Sequence, residues 1–348
     1  TLLLGIGFTV LLSAICLMFL PQILGALNVS ENLWPEASAY IGIIIAGLIA
    51  TTLYNICAAI LRAIGDSYTP LLFLVISNVL NVGLDYLFVL IFEAGVSGAA
   101  AATVLAQAIS AILCFIYMRK KYPEIVIHKE DLTPEKEVYR QLLPTGLSMG
   151  FMISFVTLGS LALQTGINLL GTNIIVAHTG ARKATMIFLI PFFVLGTALA
   201  TYCGQNLGAQ EFERIRKGIK DTVLLSFGWC IIVLCIVFTV SPFIIRSITA
   251  SSEQEVLDNA VLYLKVNSVF YFFPAVICIL RNSMQGFGDT KTPLVSSFIE
   301  LAAKVLIAYL LIPSLGYMGV IVSEPVAWVL MVIPLLISIR RSPILKKM

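Results

Sequence analysis

The sequence predicts an all-α polytopic membrane protein of two pseudo-symmetric helical lobes, with four of six spans present in the first lobe and six in the second. Three observations carry that expectation. Of the 348 residues, 59% are hydrophobic and 12% charged, with a mean hydropathy of +0.98, which leaves too little polar surface for a soluble domain of this length. Apolar runs long enough to cross a bilayer, about 20 residues each, occur ten times. Finally, the chain repeats itself. A shift of 221 residues sets Gly7, Pro21, Gly95, Gly98 and Arg119 on Gly228, Pro242, Gly316, Gly319 and Arg340. A shift of 223 sets the run Gly65-Asp66-Ser67-Tyr68-Thr69-Pro70-Leu71 on Gly288-Asp289-Thr290-Lys291-Thr292-Pro293-Leu294. A period this long with separate anchor points marks a duplicated unit.

In chain order, the spans are 2–24, 37–61, 70–92 and 98–118 in the first lobe (residues 1–118). The second lobe (142–341) holds 143–168, 173–203, 222–246, 257–280, 294–312 and 317–339. The block 142–221 has no repeat partner, so the first lobe is expected to lack about 80 residues carrying its first two spans, ahead of Thr1. Residues 119–141 read as a cytoplasmic linker and 342–348 as a tail. Within the linker, Thr133-Pro134-Glu135 has the pattern of an N-cap, a proline at the first helical position and an acid in the first turn, predicting a short interfacial helix.

Most of the 22 basic residues fall in alternate loops, including Arg62, Arg119 to Lys121, Arg214 to Lys220, Arg281 and Arg340. By the positive-inside bias these loops and the C-terminus are cytoplasmic. The net charge of +3 sits where anionic lipid attracts it, so no nucleic-acid partner is implied. The seven cysteines lie inside apolar spans without metal-ligand spacing and read as small core residues. No metal or cofactor is expected beyond a coupling ion.

Function is sought among ionisable groups inside the spans, each of which costs about 2.5 to 3.5 kcal/mol at the bilayer centre. Asp85 follows Asn81 by one helical turn and Asn78 by nearly two, so the three share a helix face. Burial favours a protonated carboxyl and a bound cation an ionised one. Such a cluster holds a proton or Na+, or else Asp85 is a hydrated carboxylate near the membrane surface. In the repeat, Ser77, Asn81 and Asp85 fall on Glu300, Lys304 and Ala308, and Thr103 falls on Glu324. Glu300 and Lys304 are a favourable i,i+4 pair, either structural or part of a second site. Glu324, just before Pro325, is then the uncompensated acid of its lobe. His178 and Arg182 either face a cavity or snorkel at its outer end, whereas Lys265 reads as snorkelling. Gln164, Asn168, Asn206 and the aromatic run around Tyr271 are candidates for lining a substrate cavity.

The combination of Arg62, Gly65-Asp66, Thr69-Pro70, Asn78, Asn81, Asp85, Gly95, Gly98, Gln205-Asn206-Leu207-Gly208-Ala209, Arg281, Gln285 and Gly288-Asp289 resembles the multidrug and toxic compound extrusion (MATE) transporters. The resemblance implies a cation-coupled antiporter that exports drugs or other organic, often cationic, compounds by alternating access, driven by H+ or Na+; a monomer is expected. It also implies an N-lobe cation site to which Asn81, Asp85 and Thr103 correspond, completed by an acid on a span absent here. The acids that a NorM-like branch uses in its other lobe fall near Met152 and Pro274, neither of them acidic.

Two other classes are weighed. A flippase for lipid-linked oligosaccharide or lipid shares the two-lobe plan and is favoured if Lys265, Lys304, His178 and Arg182 point together. A membrane enzyme requires a catalytic constellation, and the sequence contains no His-Glu-x-x-His, Gly-x-Ser-x-Gly or P-loop pattern.

Overall fold

A computed structural model describes residues 2–26, 31–125, 136–251 and 253–342. The chain divides into two compact units, Thr1–Lys136 and Glu137–Met348. The motif Thr133-Pro134-Glu135 and the tail beyond Ser342 lie outside the described residues.

The first unit consists of α1 (Leu2–Met18), α2 (Leu20–Ala26), α3 (Trp34–Ala63), α4 (Tyr68–Asp85) and α5 (Gly95–Lys121). Pro21 has no N–H to continue the helix, and α1 gives way to α2 at Phe19. Side chains of α3 and α5 build the core from Tyr54, Cys57, Ala58, Leu61, Ala111, Cys114 and Met118. The two backbones approach closely because Gly47 has no Cβ, where one would collide with Val104, the small-residue device by which helices associate in lipid. After Asp85 the winding loosens into a π-helical segment, Tyr86–Ile91. The Phe92 N–H reaches the Leu87 carbonyl at 3.0 Å, an i to i−5 bond of the kind found at functional sites.

The second unit consists of α6 (Lys136–Asn168), α7 (Thr172–Gly208), α8 (Phe212–Thr249), α9 (Gln254–Val269), α10 (Phe272–Gly286), α11 (Lys291–Leu310), α12 (Ile312–Leu315) and α13 (Tyr317–Arg341). Among the described residues, eight helices are long and apolar enough to cross a membrane, and α9 with α10 makes a ninth. The shorter α1 and α2 occupy the remaining apolar run. Exposed Leu11, Val79, Phe243 and Tyr309 are what a lipid-facing exterior requires. The protein is a multi-pass membrane protein.

Among Pro191, Pro274, Pro325 and Pro334, Pro274 stands at a break: α9 and α10 meet at 55°. Its ring excludes the carbonyl of Phe270, four residues back. Pro191, Pro325 and Pro334 lie inside continuous helices. The carbonyl that Pro325 frees, on Ile321, accepts a hydrogen bond from Asn267 Nδ2 at 3.2 Å, so a neighbouring side chain replaces the missing N–H and α13 runs on.

The repeat reappears in the coordinates. Gly65 and Gly288 have φ of 94° and 80°, and Gly95 and Gly316 have φ of 55° and 57°, left-handed values that favour glycine. In one unit the Thr69 N–H and hydroxyl donate to Asp66 at 3.1 and 2.9 Å. In the other, Thr292 does the same to Asp289 at 3.2 and 2.7 Å. The Tyr117 hydroxyl donates to Asp66 at 3.0 Å, and its repeat partner Ser338 donates to Asp289 at 3.3 Å.

Candidate functional site

In the first unit, α4 and α5 run antiparallel and are joined by rungs spaced about one turn apart. Ser110 Oγ donates to the Phe73 carbonyl at 2.7 Å, Ser77 Oγ to the Ala106 carbonyl at 3.0 Å, and Asn81 Nδ2 to Thr103 Oγ1 at 3.4 Å. The next turn of α4 brings Asp85. Its rung is empty: the facing Ala99 carbonyl, which accepts from Thr103 Oγ1 at 3.0 Å, is itself an acceptor and offers a carboxylate no donor. Asp85 Oδ1 is buried without a hydrogen-bond partner. With its amide nitrogen given to Thr103, Asn81 keeps its oxygen as an acceptor. Gln107 Oε1, one turn from Thr103 on α5, is likewise buried and unpartnered. A buried orphan acceptor costs about 1–3 kcal/mol, and more when charged. Carboxylate, amide and hydroxyl oxygens on facing helices are hard ligands of the kind that suit a proton or an alkali cation. Asn78 is exposed and stands apart from these rungs.

The equivalent place in the second unit is ionic throughout. Lys304 Nζ lies 2.9 Å from Glu300 Oε1 and 3.2 Å from Glu324 Oε1. Arg182 reaches the same Glu324 oxygen at 2.9 Å. Arg281 lies 3.9 Å from Glu300 Oε2 and donates to Ser297 Oγ. Charges therefore alternate from Arg281 on α10, through Glu300 and Lys304 on α11, to Glu324 on α13 and Arg182 on α7. Lys304 is 2% exposed, and its stem fits because a Cβ at Gly159 of α6 would stand 3.1 Å from Lys304 Cδ.

This corrects two expectations. Glu324 is not uncompensated, since Arg182 and Lys304 both hold it; the sequence could not show that α7 comes against α13. Arg281, read as a loop charge, has a side chain only 13% exposed and belongs to the buried network.

A cavity of about 280 Å³ opens beside that network, with Gln164, His178, Arg182, Lys183, Ser323 and Glu324 in its wall. The His178 ring stands edge-on to Tyr263 at 5.2 Å, with Nδ1 3.5 Å from the Tyr317 hydroxyl. Asn168 accepts from Gln164 Nε2 at 2.8 Å at the border of this wall. Tyr271 is fully buried, its hydroxyl 3.0 Å from Thr185 Oγ1, and is a core residue rather than a lining one. Asn206 sits towards the other end of α7, bonded to the Tyr202 carbonyl at 2.8 Å. His178, Arg182 and Lys304 come together, whereas Lys265 lies over the Phe238 ring at 5.9 Å. Sequence reasoning missed Gln107 and Gly159. Gln107 was recoverable from its spacing, four residues after Thr103, while Gly159 becomes significant only through the neighbouring helix.

Two repeated helical units with apolar exteriors, one holding a carboxylate among neutral oxygens and the other a buried ionic chain, define a multi-span transporter scaffold. The MatE family model matches residues 1–87 and 148–310, and the chain belongs to the MatE family. It is 27% identical over 301 residues to the Probable multidrug resistance protein YpnP of Bacillus subtilis (strain 168), an alignment covering 84% of this chain and 67% of that one. A second relative, the Probable multidrug resistance protein NorM of Thermotoga maritima, is 25% identical with 84% and 64% covered, so the chain spans about two-thirds of the length of such relatives. A crystal structure of MATE in the bent conformation shares the fold with a TM-score of 0.90 at 21% identity, covering 99% of this chain and 78% of that one.

Proposed function

We propose that the protein is a secondary active transporter in which H+ or Na+ bound at Asp85 is exchanged for organic, often cationic, compounds exported by alternating access. The observation that carries this reading is Asp85 itself, a carboxylate inside a span with one oxygen buried and unpartnered, on the rung next to the Asn81–Thr103 hydrogen bond. A group so placed is stabilised by taking up a proton or a cation. Asn81 and Thr103 supply further oxygens, and the loosened π-helical segment that follows Asp85 offers a place where uptake and release can alter the α4–α5 packing. The substrate class is carried over from relatives named as multidrug resistance proteins. We place the protein as a monomer in the cell membrane of a bacterium or archaeon, with its C-terminus in the cytoplasm.

The test is efflux of a cationic dye such as ethidium from vesicles containing the full-length gene product, under imposed H+ or Na+ gradients. Asp85→Asn is expected to reduce gradient-driven efflux to the leak rate while membrane insertion is kept. Efflux by the variant at the wild-type rate sinks the reading.

A further inference from the structure

We infer that the cavity beside Arg182 in the second unit binds an anionic head group, a carboxylate or phosphate, carried on a short apolar body. The ionic chain holds three cations, Arg281, Lys304 and Arg182, against two carboxylates, Glu300 and Glu324. Because the signs alternate, it begins and ends on arginine and carries one unmatched positive charge. The two ends differ. At Arg281 the side chain is 13% exposed, paired with Glu300 and hydrogen-bonded to Ser297. At Arg182 it is 27% exposed and forms part of the cavity wall. Lys183, exposed and also in the wall, adds a second cation. The excess charge of the network therefore emerges in this cavity.

An unmatched cation in the membrane interior calls for a counterion. Arginine suits one with paired oxygens, because its planar fork matches carboxylate and phosphate. The wall offers Ser160, Gln164 and Thr179 as further donors and Leu163, Ile167 and Met186 as an apolar side. At about 280 Å³ the cavity is just below the usual range for small-molecule pockets, roughly 300–1,000 Å³, enough for a head group and a few carbons. Among the described lining residues the one carboxylate, Glu324, is already held by Arg182 and Lys304, so a cationic ligand finds no free partner there. The anion site is thus separate from the cation site at Asp85.

Calorimetric titration of octanoate and octyl phosphate into the full-length protein in phosphatidylcholine nanodiscs tests this, with octyltrimethylammonium as the opposite-charge control. Both anions are expected to bind and the cation not to. Arg182→Gln leaves two cations against two carboxylates and is expected to weaken the anions at least about tenfold. Lys183→Gln, which has no ion-pair partner in the network, is expected to weaken them about threefold. Glu324→Gln adds a net positive charge and is expected to tighten them. If Arg182→Gln fails to fold, the opposite signs expected for Lys183→Gln and Glu324→Gln decide the matter. Absence of anion binding to the wild type, or anion affinity unchanged by Lys183→Gln and Glu324→Gln, overturns the inference. Adding phosphatidylglycerol separates the sources: competition with octanoate assigns the site to a lipid head group, and unchanged affinity assigns it to a free organic anion. No gradient is imposed, so this result stands or falls apart from coupling at Asp85.

Discussion

The α4–α5 pair of the first unit and the α11–α13 pair of the second occupy the same place in the repeat, yet they treat buried polarity in opposite ways. Asn81 and Thr103 stand where the second unit has Lys304 and Glu324, and Asp85 stands where it has Ala308. The shared scaffold is visible in a hydrogen bond that survived with its donor exchanged. Ser110 on α5 donates to the Phe73 carbonyl at 2.7 Å, and at the equivalent place Ser296 on α11 donates to Met331 at 3.0 Å. On that common ladder, the first unit leaves a carboxylate oxygen unmatched while the second pairs both of its carboxylates. A chain in which both carboxylates are paired leaves no acid open to a further partner, whereas an orphaned carboxylate oxygen leaves a place for one. Coupling is therefore expected on one side of the repeat, and a fixed charge pattern on the other.

The largest expected effect comes from breaking the paired side. Lys304→Met strips a fully buried cation from between Glu300 and Glu324 and is expected to cost about 3–5 kcal/mol, read as a large fall in melting temperature in detergent. Its counterpart Asn81→Leu loses one long hydrogen bond and is expected to cost only about 1 kcal/mol. Equal losses would erase the distinction between the two sites.

A smaller contrast concerns the glycines that open each hairpin. A Cβ on Gly319 would stand 2.9 Å from the Leu311 carbonyl carbon and oxygen, whereas on Gly98 it would meet the Ala94 methyl at 2.9 Å and the Phe88 carbonyl at 3.1 Å. The three nearest atoms at Gly319 are all backbone, whereas Gly98 meets one backbone atom and two Cβ atoms that are themselves fixed to the chain, so Gly319→Ala is expected to cost about 1–3 kcal/mol and Gly98→Ala only slightly less, by the same melting measurement.

The smallest expected effect is at the loop between α3 and α4. Burial disfavours the Asp66 carboxylate, but the Thr69 N–H and hydroxyl, the Tyr117 hydroxyl and the Lys121 ammonium together outweigh it and hold its carboxyl below the ordinary value. A carboxyl lowered on folding contributes stability that is fully present above its unfolded value of about 3.9 and is lost as pH falls through the lower folded value. Asp66→Asn is therefore expected to destabilise the protein at neutral pH, with its difference from wild type shrinking below about pH 4. A difference that stays constant across that range would mean the carboxylate charge contributes nothing.

The architecture was legible because it rests on local signals. Apolar runs of bilayer length and paired anchors such as Gly65 with Gly288 needed no knowledge of packing, and both glycines have the left-handed backbone that their pairing implied. The helix-face spacing of Asn81 and Asp85 was legible too, since four residues make one turn. What stayed hidden depended on which helix faces which. Arg182 on α7 and Glu324 on α13 are 142 residues apart, yet they form the ion pair that converts an expected free acid into part of a chain. Arg281 follows the last hydrophobic run of its helix and read as a loop charge until Glu300 was seen beside it. The break at Pro274 and the continuity at Pro325 could not be told apart from proline alone, and the hydrogen bond from Asn267 to the carbonyl that Pro325 frees joins residues 54 apart in sequence, which spacing does not reveal.

The central claim is that the coupling ion binds at Asp85, and the most direct measurement is ion uptake by the purified full-length protein without substrate. It is followed as proton release in weakly buffered detergent on adding Na+, and as equilibrium binding of radioactive Na+. Wild-type protein is expected to bind Na+ or to exchange a proton for it, Asn81→Ala to do so more weakly, and folded Asp85→Asn to do neither. Wild-type ion uptake by folded Asp85→Asn contradicts the account.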